Sequence, residues 1–233
     1  MLTTVALDYG KVLAYPVSGN WLLPSNLPEV LGPYNVTRLA SHAQTMKENM
    51  RVAHGFLDAN HLLHTEKEEF EQFKKFYRIV FGGCGFEGLD TIAEELAQVI
   101  VYNDARVALF DDVLPGIRAL KERWRVIVIS DAWPSLRRIL AVKGVLPLLD
   151  ELVISCHYGH WKSDEGRLFH SAIEHHGVVP GETLFVDDSA DNLIHANEIG
   201  FSTAQMDRKG QLVTSEYHLV RNLDDVMALA MQI

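Results

Sequence analysis

The chain has 233 residues, of which 48% are hydrophobic and 22% charged, an ordinary balance for a folded domain and one that excludes a disordered chain. Its formal net charge is −10, from 21 basic against 31 acidic residues, which disfavours a nucleic-acid partner, because phosphate backbones demand a basic surface. A small phosphorylated ligand stays open, since one local cation cluster outweighs the global sign.

No apolar stretch approaches the about 20 residues needed to cross a bilayer, so no membrane partner is expected. The opening MLTTVALDYG has no basic region ahead of its apolar run, so it does not read as a signal peptide. Cys84 and Cys156 lie far apart without a metal-binding or disulfide spacing. Two reduced thiols and a cytoplasmic location are the expectation.

In chain order, the first element is a short apolar, β-branched run over Thr3–Leu7, which reads as a buried parallel strand. From Val17 to Arg106 no good strand follows, and the pattern turns helical. Helices are expected over Asn35–His54, Thr65–Phe81 and Gly88–Tyr102. The middle one carries the clearest signal: Thr65 with Glu68 forms a capping box, and Phe70, Phe73, Tyr77 and Val80 recur at helical spacing.

After residue 106 strands and helices alternate. Leu114-Pro115-Gly116 opens a helix that continues through Ile117, Leu120 and Trp124, and Arg125–Ile129 reads as the next strand. Pro134–Val142, Glu165–His176 and Ala190–Ile199 read as helices, interleaved with strands over Glu151–Ser155, Thr183–Val186 and Phe201–Gln205. That alternation predicts an α/β fold with a doubly wound parallel sheet and right-handed crossovers. The expected division is a core of residues 1–16 and 107–233, interrupted after its first strand by a helical insert over 17–106.

Ligands of open α/β sheets bind at the carboxyl ends of the strands, so the residues that follow each strand are the candidates. Asp8-Tyr9-Gly10-Lys11 follow the first, Ser130-Asp131 the next, and Asp187-Asp188 a late one, with Asp191 and Asn192 a turn further on. Lys162 lies six residues beyond Cys156. Each alone reads as a strand-end or cap residue. Together they put acids, a hydroxyl and a lysine on one edge of one sheet.

Asp8, Ser130, Lys162 and Asp187-Asp188 fall in the order of the four motifs of the haloacid dehalogenase-like superfamily, which this sequence resembles. Trp161-Lys162-Ser163-Asp164 with Leu168-Phe169, and TLFVDDSADN over residues 183–192, look like its lysine and acidic segments. The resemblance covers the whole expected core, and it implies a Rossmann-like core with a cap domain in the helical insert. It further implies an aspartate nucleophile, Asp8, beside Mg2+ held by Asp8, the Gly10 carbonyl, Asp188 and, through a water, Asp187. Magnesium prefers such oxygen donors. Ser130 and Lys162 join Asp8 as catalytic groups, and Ser130, Asp131 and Lys162 form the substrate-binding set, with parts suited to phosphoryl transfer. The implied activity is a magnesium-dependent phosphatase for a small phosphorylated metabolite, a sugar phosphate being the candidate class.

The match departs at Gly10, where phosphatases of this family carry a second aspartate as general acid and base. A D-x-G pattern resembles sugar-phosphatase-like members of the glucose-1-phosphatase type. General acid–base catalysis contributes ~10²–10⁴-fold, so slow turnover or a replacement group is implied. Two alternatives stay open. One is a 2-haloacid dehalogenase, which also lacks that aspartate and uses no metal, but lacks the paired acids too. The other is a weakened member that binds a phosphorylated ligand or a protein. His157 and His160 flank the approach to Lys162, whereas His175-His176 read as solvated residues near a helix end. Arg38 and Arg51 in the insert read as surface residues, a cleft-facing position being the alternative, and Trp21 reads as a hinge or core anchor. Nothing in the sequence fixes the oligomeric state.

Overall fold

Short apolar runs become strands here because both of their faces are covered. In the computed structural model, which describes residues 1–233, β1 (Thr4–Leu7) is buried throughout. β2 (Ala14–Pro16) follows, and then the helices α1 (Leu27–Leu39), α2 (Ala43–Ala59), α3 (Glu66–Val80) and α4 (Leu89–Tyr102). β3 (Val107–Leu109) and α5 (Val113–Lys121) lead to β4 (Arg125–Ser130), α6 (Ser135–Val142) and β5 (Glu151–Ile154). The chain continues through α7 (Arg167–His176), β6 (Thr183–Asp187), α8 (Ala190–Ile199), β7 (Ser202–Met206), β8 (His218–Val220) and α9 (Leu223–Ala230).

The main sheet has six strands in the order β5-β4-β1-β6-β7-β8, all parallel. This is the expected α/β fold. β1 sits centrally, with Leu7 level with Val128 of β4 and Val186 of β6. That register brings the residues after β1, β4 and β6 to one edge. Beneath them Ala6, Ile127, Ile129, Val153, Leu168, Phe169, Phe185 and Phe201 form a continuous apolar core. Gly116 lets α5 approach α9, for a Cβ there would lie 2.5 Å from that of Leu223.

The chain divides into two compact units, Met1–Tyr15 with Leu109–Ile233, and Pro16–Ala108. The second carries the helices α1 to α4; β2 and β3 pair as a separate two-stranded sheet. Its interior is aromatic: Phe73, Phe76, Tyr77 and Phe81 are fully buried. The capping box is present, with the Thr65 side chain accepting from the Glu68 N–H and Glu68 accepting in return from the Thr65 N–H.

Three expectations need correction. The helix read over Asn35–His54 is not one helix. It starts at Leu27 and breaks at Gly32-Pro33, where φ of Gly32 is 70°, and a 3₁₀ turn over Ala40–His42 then separates α1 from α2. The strand expected to reach Ser155 ends at Ile154, because Ser155 opens a 3₁₀ turn and bonds Ala132. His176 is not a solvated helix-end residue: its Nδ1 lies 3.0 Å from the Glu151 carboxylate and its Nε2 2.6 Å from the Tyr158 hydroxyl. His175 is exposed, with its ring stacked on Tyr158.

Candidate active site

Asp8 ends the central strand, its N–H donating to the Val186 carbonyl. The residue is 6% exposed. Its Oδ1 accepts from the Ser130 hydroxyl at 2.8 Å and from Lys162 Nζ at 2.6 Å. Burial pushes the carboxyl pKa up to about 7, against the pull of Lys162 and with help from the Asp187 charge. A buried carboxyl is tolerated here because a hydroxyl and an ammonium meet it.

Lys162 is the centre of the cluster and 1% exposed. Its ammonium bridges Asp8 and Asp187, the latter at 2.5 Å, and lies 5.5 Å above the Phe185 ring. Burial opposes its charge, but the carboxylates of Asp187, Asp8 and Asp131 outweigh that and hold its pKa above the usual lysine value. The backbone of the same residue is also held, with the Lys162 N–H donating to Asp131 Oδ1 at 2.9 Å. Asp131 is thus tied to the lysine segment, and burial raises its pKa.

The late strand supplies the other acids. Asp187 accepts from the Ser189 N–H and from the Asn192 amide. Asp188 is half-buried, and Lys11 Nζ lies 2.7 Å from its Oδ2. Asp8, Asp187 and Asp188 each offer an oxygen, and these ligand atoms lie within 4.8 Å of one another. An all-carboxylate, hard-oxygen set of that size fits a divalent cation such as magnesium.

Gly10 lies in the tight turn after Asp8, bridged to Ala14. It does not need the left-handed freedom of glycine; the left-handed residue of this turn is Lys11, with φ 57°. The turn is pinned from elsewhere in the same unit. Arg208 donates through Nε and NH2 to the Val12 carbonyl, binds Asp112 with NH1 at 2.7 Å and lies 4.3 Å over the Phe110 ring.

The structure therefore brings Asp8, Gly10, Ser130, Asp131, Lys162, Asp187 and Asp188 to one sheet edge within one unit. Sequence reasoning placed Lys11 after the first strand without giving it a role, and missed Arg208. The adjacency of Lys11 to Asp8-Tyr9-Gly10 was the available signal for the first; none existed for the second. Arg38 and Arg51 belong to the helical unit, where Arg38 bonds the Tyr34 hydroxyl and Arg51 is exposed. In that unit the Trp21 carbonyl accepts from Arg106.

Residues 28–200 match the family model of haloacid dehalogenase-like hydrolases. The GMP/IMP nucleotidase YrfG of Escherichia coli (strain K12) is 32% identical over 145 residues, 58% of this chain and 64% of that protein. The chain thus spans just under two thirds of the curated relative it matches. The solved L-2-haloacid dehalogenase from Xanthobacter autotrophicus superposes with a TM-score of 0.68 at 16% identity, covering 100% of both chains. A HAD phosphatase from Thermococcus onnurineus superposes at 0.66 with 17% identity, covering 98% of this chain and 97% of that one. At those identities the likeness shows the fold alone.

Proposed function

The chain belongs to the haloacid dehalogenase-like hydrolases, and on that premise we propose that it is a magnesium-dependent phosphatase of a small phosphorylated metabolite. The carrying observation is the set of three carboxylates, Asp8, Asp187 and Asp188, with ligand atoms within 4.8 Å and a buried lysine bridging the first two.

In this reading Asp8 is the nucleophile and attacks phosphorus, while Ser130 and Lys162 hold the phosphoryl oxygens. Asp8, the Gly10 carbonyl and Asp188 hold magnesium, with Asp187 acting through a water. When bound, the ion supplies Lewis-acid charge that neutralises the phosphoryl group and lowers the repulsion met by a carboxylate nucleophile. Asp131 fixes the lysine segment from below. As the bond from Asp8 to phosphorus forms, the ester bond from phosphorus to the substrate oxygen breaks and the departing alkoxide takes a proton from water; a second water then attacks the aspartyl-phosphate, releasing phosphate and restoring the Asp8 carboxylate. The helical unit is assigned as the cap that selects substrate, and the cytoplasm as the place of action.

Two substrate classes lead. The D-x-G turn resembles glucose-1-phosphatase-type members and favours a sugar phosphate, while the relative's name favours GMP or IMP. Gly10 also supports a second reading, a metal-free 2-haloacid dehalogenase, against which the paired acids count. The test is release of phosphate from sugar phosphates and nucleoside monophosphates, and of halide from 2-haloacids, in magnesium or chelator. Magnesium-dependent phosphate release is expected; halide release in chelator without phosphate release overturns the reading.

A further inference from the structure

The proposed metal site carries a cation of its own. Lys162 pairs with Asp8 and Asp187 together, which leaves Asp188, and the charge partner of Asp188 is Lys11 at 2.7 Å. Three carboxylates are thus faced by two ammonium groups, which keeps like charges from repelling one another. The two lysines differ in how they are held. Lys162 is locked between two acids at 1% exposure, whereas the Lys11 side chain is 66% exposed and joined to Asp188 alone. An exposed ion pair is weak and easily exchanged; a buried one is not.

Resting on the magnesium reading above, we propose that Lys11 is a built-in counter-cation that holds Asp188 in the metal-free protein and must leave it before Asp188 can ligate a divalent ion. Lys11 thereby sets the site's affinity for the metal.

The backbone supports this assignment. Lys11 adopts φ 57°, a conformation that asparagine or glycine takes more cheaply, so a lysine there implies a use for its side chain. The turn itself is fixed: the Lys11 N–H donates to the Ala14 carbonyl, the Leu13 and Ala14 N–H groups donate to the Tyr9 carbonyl, and Arg208 clamps Val12. Release of Asp188 therefore falls to the flexible side chain rather than to the loop. Lys11 acts through Asp188 and is a positioning residue, not a catalytic one.

Calorimetric titration with magnesium chloride alone, on the full chain, tests this without reference to turnover. Lys11→Gln and Lys11→Asn are expected to bind magnesium about three- to fivefold more tightly than wild type, with Lys11→Arg within about twofold of it, the upper range of one exposed charge pair. Asparagine also relieves the left-handed turn, so equal tightening in both neutral variants assigns the effect to charge rather than to backbone. Neutral variants that bind magnesium no more tightly than wild type overturn the proposal and leave the metal reading standing. Binding by Lys11→Gln but not by wild type supports the proposal in its strongest form and overturns magnesium dependence of the native enzyme. No binding by any of them overturns both.

Discussion

Two sets of buried polar side chains, one in each unit, are satisfied in opposite ways. In the helical unit three buried neutral side chains serve backbone: Asn35 donates to the Leu31 and Glu87 carbonyls, Gln72 to Asn60, and Tyr77 to Leu22. In the α/β unit the buried ionisable side chains serve one another, with Lys162 between Asp8 and Asp187. A neutral group bonded to a carbonyl fixes a turn at little cost. Charges gathered out of water cost several kcal/mol each, only partly returned by pairing, so they persist where they do chemistry. On the reading proposed above, the three neutral residues hold the fold and the Lys162 cluster does the chemistry.

The sharpest contrast comes from removing one residue of each kind. Asp8→Asn is expected to lower hydrolysis by at least roughly a thousandfold, as loss of a nucleophile does, without unfolding the protein. Its stability should even gain at neutral pH. Burial raises the Asp8 pKa from 3.8 to about 7, so between those values the folded state binds more protons than the unfolded one. The stability contributed by the protonated form is complete at low pH and is lost as pH rises through about 7. In chelator, the thermal midpoint of wild type should fall relative to that of Asp8→Asn across this window. A parallel course for the two proteins would show that Asp8 ionises normally.

In the helical unit the reverse holds. Phe76 is fully buried among Phe73 and Tyr77, and Phe76→Ala should cost about 3–5 kcal/mol in urea unfolding. Magnesium affinity of the folded variant should be unchanged. A loss of affinity equal to that of Asp188→Asn would erase the distinction between the units.

Gly10→Asp tests what the site lacks. Position 10 is outside the left-handed region, so an aspartate fits the backbone, and a restored acid–base group should raise steady turnover about tenfold. A well-folded variant that is no faster would mean that another residue already moves the protons. The smallest effect belongs to the capping box: Thr65→Ala should cost about 1 kcal/mol. Hydrogen bonds from the His64 and Thr65 backbone and the Thr65 hydroxyl lower the Glu68 pKa. Its contribution is present above the ordinary glutamate range and lost as pH falls through the lowered value. Glu68→Gln should flatten that acid limb of the unfolding profile.

The sheet and most of its chemical edge were legible because each strand is a short apolar run ended by a polar residue, as Leu7 is by Asp8 and Val186 by Asp187-Asp188. What escaped the sequence depends on distant partners. Lys11 has no role in the sequence and Arg208 no signal at all until Asp188, 177 residues away, and Asp112, 96 residues away, are brought beside them. β8 was invisible because it has three residues, two of them exposed. The start of α1 was hidden by Gly32-Pro33, which breaks the helical period. His176 misled because its partners Glu151 and Tyr158 lie on other segments.

The central claim is that Asp8 carries the phosphoryl group, and the most direct measurement is mass spectrometry of the Asp8 peptide after acid quench of early turnovers with an aryl phosphate and magnesium. With no carboxylate at position 10 to hasten attack by water, the phosphorylated form should accumulate in a burst. The account predicts phosphate on Asp8 in wild type and no phosphorylation or turnover in Asp8→Asn. Undiminished phosphate release by Asp8→Asn, with Asp8 unmodified in the wild-type quench, would contradict it.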